Sequence, residues 1–240
     1  MYEPTVPDAL QRALGPVLGN WKILALFLTI SFAWSLMRRG RWSRQSTAVN
    51  TVASTIGFVP LDESPIDRDE LKSFEFPLGL GKVHNIIGGS VDGNEVALFD
   101  SEVSHPHGEP SFQTIAAFKL TGRNLPNFNL QPRSIAGKVL SVFGKGIQFG
   151  DDSAFSRDYF LTSTDESGVR ACFTREFRKF FEGLEQYDSA KNWHIQKRGG
   201  WVIVYRKNEG AEPDELQTFL EGTAEIIRHL ANATGKGQLE

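Results

Sequence analysis

The sequence contains a single cysteine, Cys172, among 240 residues, which excludes an intrachain disulfide framework. Proline and glycine are not in excess, at 11 and 23 residues, so collagen-like and wholly disordered chains are excluded as well. No segment repeats at a fixed period. With 40% hydrophobic residues, a chain of this length can form the core of one large domain or two small ones.

Acidic residues outnumber basic ones outside the N-terminal segment. Residues 1–44 carry six basic and two acidic side chains, which leaves 20 basic and 27 acidic side chains for the remaining 196 residues. Nucleic-acid binding needs clustered lysine and arginine at the phosphates. We therefore expect no nucleic-acid partner for the body of the chain.

Only Ile23–Met37 forms a long uncharged apolar run. Its fifteen residues would make about 22 Å of helix against a hydrocarbon core of roughly 30 Å, and the apolar residues upstream of it supply the missing length. After a short N-terminal segment, 1–18, we predict a single transmembrane helix with its stop-transfer cluster over residues 19–41, and the lipid bilayer as a partner. The predicted membrane-anchor side chains are Trp21, Ile23, Leu24, Leu26, Phe27, Leu28, Ile30, Phe32, Trp34, Leu36 and Met37.

Two other interpretations of this run stay open. A cleaved signal peptide would carry its positive charge before the apolar run, whereas here the arginines follow it. A buried core helix is also compatible with fifteen apolar residues. An in-plane amphipathic helix does not fit, because the run is apolar all round.

Four arginines follow the run, Arg38, Arg39, Arg41 and Arg44, and only two basic residues precede it. The positive-inside rule then places the C-terminal side in the cytoplasm, so we predict a single-pass protein of the cell inner (plasma) membrane. The same arginines could bind anionic lipid headgroups, at about 1 kcal/mol for each charge near the surface. The sequence leaves open whether they do this or only set the topology.

The body of the chain predicts an α+β fold, an antiparallel sheet with packed helices. We expect a juxtamembrane helix over 42–59, a soluble domain over 60–233 and a flexible tail over 234–240. An acidic connector or short helix should open the domain at 60–73. Asp92-Gly93-Asn94 between apolar stretches predicts a hairpin, and Phe112–Thr121 should add a third strand.

Proline and glycine set the remaining expectations for the middle of the chain. Pro126 and Pro132 predict a break in the strands, because proline cannot donate in a ladder. Gly88-Gly89 indicates a turn or bulge. Ile147–Phe149 and Tyr159–Ser163 are expected to form short strands.

In the last third we predict two helices separated by a hairpin. Ser163 with Glu166 suggests a capping box, followed by one amphipathic helix from Val169 to Leu184. Trp193–Gln196 and Trp201–Tyr205 should form the hairpin, and the second of these strands is apolar at every position, so it should be buried on both faces. Pro213 should open the final helix. Its apolar stripe is Leu216, Phe219, Leu220, Thr223, Ile226, Ile227 and Leu230.

No catalytic residue and no cofactor is predicted. His105 and His107 are the only close histidine pair, and with Glu102 or Glu109 they could bind a metal ion. The spacing is unfavourable for zinc, because Pro106 fixes the chain between them and no H-x-x-x-H or C-x-x-C element is present. Cys172 falls on a predicted apolar stripe, where a thiol is normally inert.

A set of short motifs runs along the body of the chain. The motifs are Asn85 with Gly88-Gly89, Val96–Asp100, Leu125–Pro132, Ile147–Phe149, Phe155–Tyr159, Asp165–Phe173 and Tyr205-Arg206. The distinctive element is an LPxFxLxP segment followed by FSxxY. Together these motifs resemble a family of uncharacterised bacterial membrane-anchored proteins, and the likeness covers roughly residues 42–230. The resemblance implies a short N-terminal hydrophobic span and no known activity, ligand or catalytic residue.

Two hypotheses for the function follow. The first is a membrane-anchored cytoplasmic domain that acts as a non-enzymatic binding or scaffolding module with a protein partner at the membrane. The alternative is a membrane-tethered hydrolase or metal-dependent enzyme using the His105/His107 loop. An enzyme should bring polar groups with perturbed pKa values together, and a binding module should expose an apolar patch. An inverted topology would instead give a periplasmic domain.

Overall fold

One sheet with packed helices makes up the computed structural model, which describes residues 47–76, 81–103, 111–120, 125–133, 146–150, 153–184 and 192–235. The chain divides into two units, Met1–Ala48 and Val49–Glu240, and the second contains nearly all the described residues. The strands are β1 (Val59–Pro60), β2 (Val83–Val91), β3 (Asn94–Val103), β4 (Ser111–Lys119), β5 (Phe128–Pro132), β6 (Tyr159–Thr162), β7 (Trp193–Arg198) and β8 (Trp201–Arg206). The helices are α1 (residues 47–55), α2 (Arg68–Lys72), α3 (Ser153–Asp158), α4 (Glu166–Cys172), α5 (Arg175–Gly183) and α6 (Leu216–Gly235).

The eight strands form one antiparallel sheet in the order β1-β2-β3-β4-β8-β7-β5-β6, so the predicted α+β class is confirmed. Asp92 and Gly93 both have positive φ and close the predicted hairpin of β2 and β3. The β7–β8 hairpin turns at Gly199-Gly200, and Trp201–Tyr205 is buried throughout, as its composition indicated. The third strand, β4, is also confirmed.

The two faces of the sheet bury two separate apolar clusters. The first face packs against α1 and α3 to α6, and its cluster includes Val96, Val204 and the whole predicted stripe of α6 apart from Thr223, which is buried beside it. The second face is covered by residues 61–76, which we call the strap. Its buried apolar side chains are Ile66, Leu71 and Phe74.

Several expectations from the sequence were wrong in detail. The segment after Pro126 is not a break, because Phe128–Pro132 forms β5 and pairs on both sides, with Pro132 as its last residue. Gly88 and Gly89 lie within β2, not at a turn. An added Cβ would come within 2.6 Å of the Leu61 side chain at Gly88, and within 2.7 Å of the Phe58 ring at Gly89. The glycine pair therefore allows close packing on both faces of the strand.

The predicted helix from Val169 to Leu184 is two helices, α4 and α5. Asp165, not Ser163, caps α4 by accepting from Gly168 N at 2.9 Å, and Thr174 begins α5 by accepting from Phe177 N at 3.2 Å. Thr174 therefore starts a new helix where the apolar period gave no sign of an end.

Other boundaries also moved. The described part of α1 ends at residue 55, before Gly57 with its φ of +77°, and not at 59. The helix α6 begins at Leu216, after a turn that starts at Pro213. Ile147–Phe149 is not a strand, although Ile147 N donates to Leu161 O at 2.8 Å and so covers the edge of β6. The acidic segment after Pro60 does contain a short helix, α2.

The segment that carries FSxxY builds an aromatic cluster on the first face. The rings of Phe155 and Tyr159 stack at 5.4 Å, and both rings contact Phe181 of α5. Phe173 packs edge-on against Phe128 of β5 at 5.1 Å. The Phe173 ring also lies 6.1 Å from that of Phe155, so Phe173 links the two motif segments in the core.

Candidate functional site

The part of the second face formed by β5, β7 and β8 is polar although it is buried. Asn129, His194 and Gln196 are at most 7% exposed. Strand alternation puts them on the same face as Tyr205, since Asn129 lies opposite Gln196 and His194 lies opposite Tyr205. Four polar side chains from three strands thus form one cluster.

The end of the strap is bound to this cluster through Glu75. The Gln196 side chain holds the Glu75 backbone at both polar atoms, accepting from N and donating to O, each at 2.7 Å. The Glu75 carboxylate accepts from Arg198 Nη2 and from Asn129 Nδ2, both at 2.8 Å. Gln196 Nε2 also lies 3.2 Å from the Tyr205 hydroxyl. We call Glu75, Asn129, Gln196, Arg198 and Tyr205 the Glu75 site.

Aromatic side chains flank the Glu75 site. Phe74 is 4% exposed within the apolar cluster of the second face, and the ring of Phe76 lies 5.7 Å from that of Tyr205. The His194 ring stacks on the Tyr205 ring, 4.8 Å from it and nearly parallel to it.

Burial moves the titrations of this cluster away from neutral pH. It lowers the pKa of His194 to about 3, assisted by the charge of Lys207, and it raises the pKa of Tyr205. His194 is therefore neutral and Tyr205 protonated near pH 7. A general acid or base needs a pKa near the working pH, so neither side chain is suited to that role.

Two buried polar atoms beside the Glu75 site have no hydrogen-bond partner within the part of the chain that the structure describes. These atoms are Asn129 Oδ1 and His194 Nε2. Buried polar atoms are nearly always hydrogen-bonded in native proteins, so this face has hydrogen-bonding capacity that the strap does not use.

A second polar cluster lies on the first face around Asp100. Its carboxylate accepts from Asn85 Nδ2 at 2.8 Å and from the Thr114 hydroxyl at 2.7 Å, and that hydroxyl accepts from Ala211 N at 2.7 Å. Asn85 has a φ of +50° next to an irregularity in the pairing of β2. Burial raises the pKa of Asp100, and the two hydrogen bonds oppose that shift. The cluster joins β2, β3 and β4 to the segment that leads into α6.

The candidate metal ligands His105, His107 and Glu109 lie outside the described residues. Glu102 is described, with its Oε2 3.9 Å from His84 Nε2. Among the residues that the structure describes, no group of three or more metal-ligating side chains occurs. Cys172 is buried, and burial raises the pKa of its thiol.

The predicted membrane anchor and the four arginines after it also lie outside the described residues. Within the described ranges, no helix has the length and apolar character that crossing a membrane requires.

The described surface exposes one large hydrophobic side chain, Val59, at 59%. Val59 lies on the edge strand β1, where Leu61 N donates to Ile86 O. By ladder alternation the polar groups of Pro60 point away from the sheet, and proline has no N–H to offer. This edge is therefore a poor template for another strand. With Val59 as the one large exposed hydrophobic side chain, the described ranges also lack the apolar patch expected of a binding module.

The residues of the Glu75 site were missed at the level of sequence. Glu75, Asn129 and Gln196 are up to 121 positions apart and match no motif. The one available signal was the alternation of His194, Gln196 and Arg198 in a strand whose other residues are partly apolar. That signal predicts a polar face but not what binds to it.

The fold defines a class of protein, an eight-stranded antiparallel sheet with helices on one face and a strap on the other. A solved structure, the mycobacterial trehalose monomycolate transport factor A, TtfA, is similar to this chain with a TM-score of 0.50 and 14% identity. The likeness covers 79% of this chain and 93% of that one, and at this identity it shows the fold alone. No family model and no curated protein matches the sequence.

Proposed function

We propose that this protein is a non-enzymatic binding module, anchored in the inner membrane with its C-terminal domain in the cytoplasm, that assists the transport of a lipid. Its partners are the bilayer and a protein component of that transport. The observation that carries the proposal is the fold shared with TtfA, which is named as a trehalose monomycolate transport factor.

The chemistry of the two polar clusters speaks against acid–base catalysis by their side chains. The acidic groups of both polar clusters are bound to other side chains of this protein, Glu75 to Arg198 and Asp100 to Thr114. The pKa of His194 lies far below neutral pH, and that of Tyr205 is raised. These groups hold segments of the fold together.

The N-terminal sequence supports the membrane anchor. Ile23–Met37 followed by Arg38, Arg39, Arg41 and Arg44 is typical of a stop-transfer segment with the following domain in the cytoplasm. We also propose that the chain belongs with the bacterial membrane-anchored proteins that share the LPxFxLxP and FSxxY segments.

The anchor and the orientation are tested by fractionation. The full chain should stay in the membrane pellet after a carbonate wash, whereas a variant that begins at Thr47 should be released. Protease added to intact spheroplasts should leave residues 47–240 uncut, and opening the inner membrane should expose them. Recovery of the full chain in the wash would refute the anchor, and cleavage in intact spheroplasts would place the domain in the periplasm.

The transport role is tested by pulse-labelling lipids in cells that lack the protein. Labelled envelope lipid should accumulate in the inner membrane and return to its normal distribution when the full chain is supplied, but not when the variant beginning at Thr47 is supplied. An unchanged lipid distribution in the deletion strain would reject the role.

A metal-dependent enzyme makes a different prediction for the same assay. The double variant His105→Ala with His107→Ala should restore the lipid distribution fully if the protein is a binding module. A loss of function, with normal protein level and membrane attachment, would favour the enzyme.

A further inference from the structure

The two faces of the sheet are covered to different extents. The first face is covered by five of the helices, whereas the second is covered by the strap. The regular structure of the strap consists of the five-residue helix α2 and the hydrogen bond from Leu61 N to Ile86 O at its start. The strap lies over an apolar surface of β3, β4 and β8. That surface is formed by Ala97, Phe99, Ile115, Ala117, Trp201, Ile203 and Tyr205.

The end of the strap, Ser73–Phe76, is held in the way that proteins hold a bound peptide. The backbone N–H and C=O of Glu75 are bound by a side chain, Gln196, rather than by a neighbouring strand. The carboxylate of Glu75 is bound by a guanidinium and an amide, while Phe74 is buried among apolar residues. Backbone hydrogen bonds with pockets for selected side chains are the usual elements of peptide recognition.

The ion pair between the Glu75 carboxylate and Arg198 is accessible to solvent. The Glu75 side chain is 41% exposed and that of Arg198 is 17% exposed, so water and other solutes reach this ion pair. Beside it, Asn129 Oδ1 and His194 Nε2 have no partner in the described ranges. A longer or differently placed peptide would find both a cation and unused hydrogen-bonding atoms on this face.

We propose that Ser73–Phe76 is a built-in occupant of a peptide-binding site, and that a partner protein with an aromatic–acidic–aromatic segment binds Asn129, Gln196 and Arg198 in its place. The proposal rests on the proposed function as a binding module and gives the chemistry of its protein partner. Arg198 and Asn129 recognise the acidic residue, Gln196 recognises the backbone, and the apolar surface under the strap takes the two aromatic side chains.

Ser73–Phe76 occupies the same site as the partner segment and is covalently attached to it, so the two compete. Tethered ligands act at effective concentrations in the millimolar range, and the apparent affinity falls with the fraction of molecules in which the site is free. A free peptide should therefore bind the intact protein weakly and bind more tightly once the strap is weakened.

The test uses full-length protein in detergent and a fluorescein-labelled peptide that copies residues 71–78, LKSFEFPL. Glu75→Ala weakens the strap without altering the binding residues. We expect the Kd of the peptide to fall at least tenfold in Glu75→Ala relative to the unaltered protein. Adding Arg198→Ala should raise the Kd again at least tenfold, and a peptide with glutamine in place of glutamate should bind at least fivefold more weakly.

Three outcomes would overturn the proposal. The first is the absence of peptide binding to a folded Glu75→Ala protein. The second is a peptide Kd in the Glu75→Ala protein that does not change when Arg198→Ala is added. The third is a Glu75→Ala protein that dimerises by exchanging straps, detected by light scattering, because the occupant would then be a second copy of this chain.

Hydrogen exchange of the unaltered protein keeps the test decisive if Glu75→Ala does not fold. Saturating peptide should speed exchange of the strap amides at least fivefold and leave the amides of β8 unchanged, because the peptide captures the state with the strap released. Equal exchange with and without peptide would overturn the proposal. Normal lipid transport in the deletion strain would instead reject the transport role and leave the peptide result standing.

Discussion

The Gln196 carboxamide, on the second face of the sheet, binds both polar atoms of the Glu75 backbone, each at 2.7 Å. The two residues are 121 positions apart, and Gln196 is only 1% exposed. The buried Gln196 amide thus holds the backbone at the end of the strap, while Arg198 and Asn129 hold the Glu75 carboxylate.

Replacing Gln196 with leucine should loosen the strap. The change keeps the volume but removes both hydrogen bonds to Glu75, and each polar group left unpaired costs about 1–3 kcal/mol. We expect a loss of about 2–4 kcal/mol in the free energy of unfolding, measured with urea. Gln196→Glu is the informative control, since it keeps an acceptor for Glu75 N but loses the donor to Glu75 O, and its deficit should be smaller at acidic pH, where a protonated carboxyl can donate.

Thr114 is the centre of the Asp100 cluster, because its hydroxyl donates to Asp100 and accepts from Ala211 N. Thr114→Val removes one hydrogen-bond partner from the buried Asp100 carboxylate and one from Ala211 N. We therefore expect the free energy of unfolding to fall by about 2–4 kcal/mol. Thr114→Ser keeps the hydroxyl and removes one methyl group, which should cost about 1 kcal/mol. Equal stabilities of the two variants in urea would show that the hydroxyl is not what joins β4 to the segment before α6.

His194 should make the protein sensitive to acid. Its pKa is about 3 in the folded protein and near 6.5 when unfolded, so only the unfolded chain takes up the proton between these values. Stability is therefore fully present above pH 6.5 and falls as the pH drops toward 3, by up to about 1.4 kcal/mol per unit.

The variant that isolates this effect is His194→Phe, which keeps a ring against Tyr205 and cannot titrate. Between pH 6.5 and 4.5 the unaltered protein should lose about 2 kcal/mol more than the variant, after their common carboxylate titrations cancel. Parallel pH profiles from urea unfolding would mean that His194 takes up its proton in the folded state.

The features predicted correctly from the sequence depend on local patterns. Asp92-Gly93 predicts its hairpin because a tight turn needs positive φ at both residues. The helix α6 was predicted by its apolar period, and β8 by its continuous apolar composition. These signals all lie within one turn, helix or strand.

The features that were missed depend on contacts between distant residues. Pro132 suggests a break, but it is the last residue of β5, where a missing donor costs little. The division between α4 and α5 depends on Thr174, whose capping role has no sign in the apolar spacing. The Glu75 site joins residues from the strap, β5, β7 and β8, and none of these segments identifies the others.

The helix α6 should be essential to the fold because its stripe fills the first face. Phe219 and Ile227 are 4% and 2% exposed, and the Phe219 ring stacks on Trp193 at 6.0 Å. Truncation of a buried large side chain to alanine typically costs about 2–5 kcal/mol, against total stabilities of about 5–15 kcal/mol. The double variant Phe219→Ala with Ile227→Ala should therefore be largely unfolded or aggregated.

Gln217→Ala with Glu221→Ala, on the exposed side of the same helix, should melt within a few degrees of the unaltered protein, since these side chains mainly contact each other at the surface. Similar melting temperatures for the two double variants, followed by circular dichroism, would show that α6 is not part of the core.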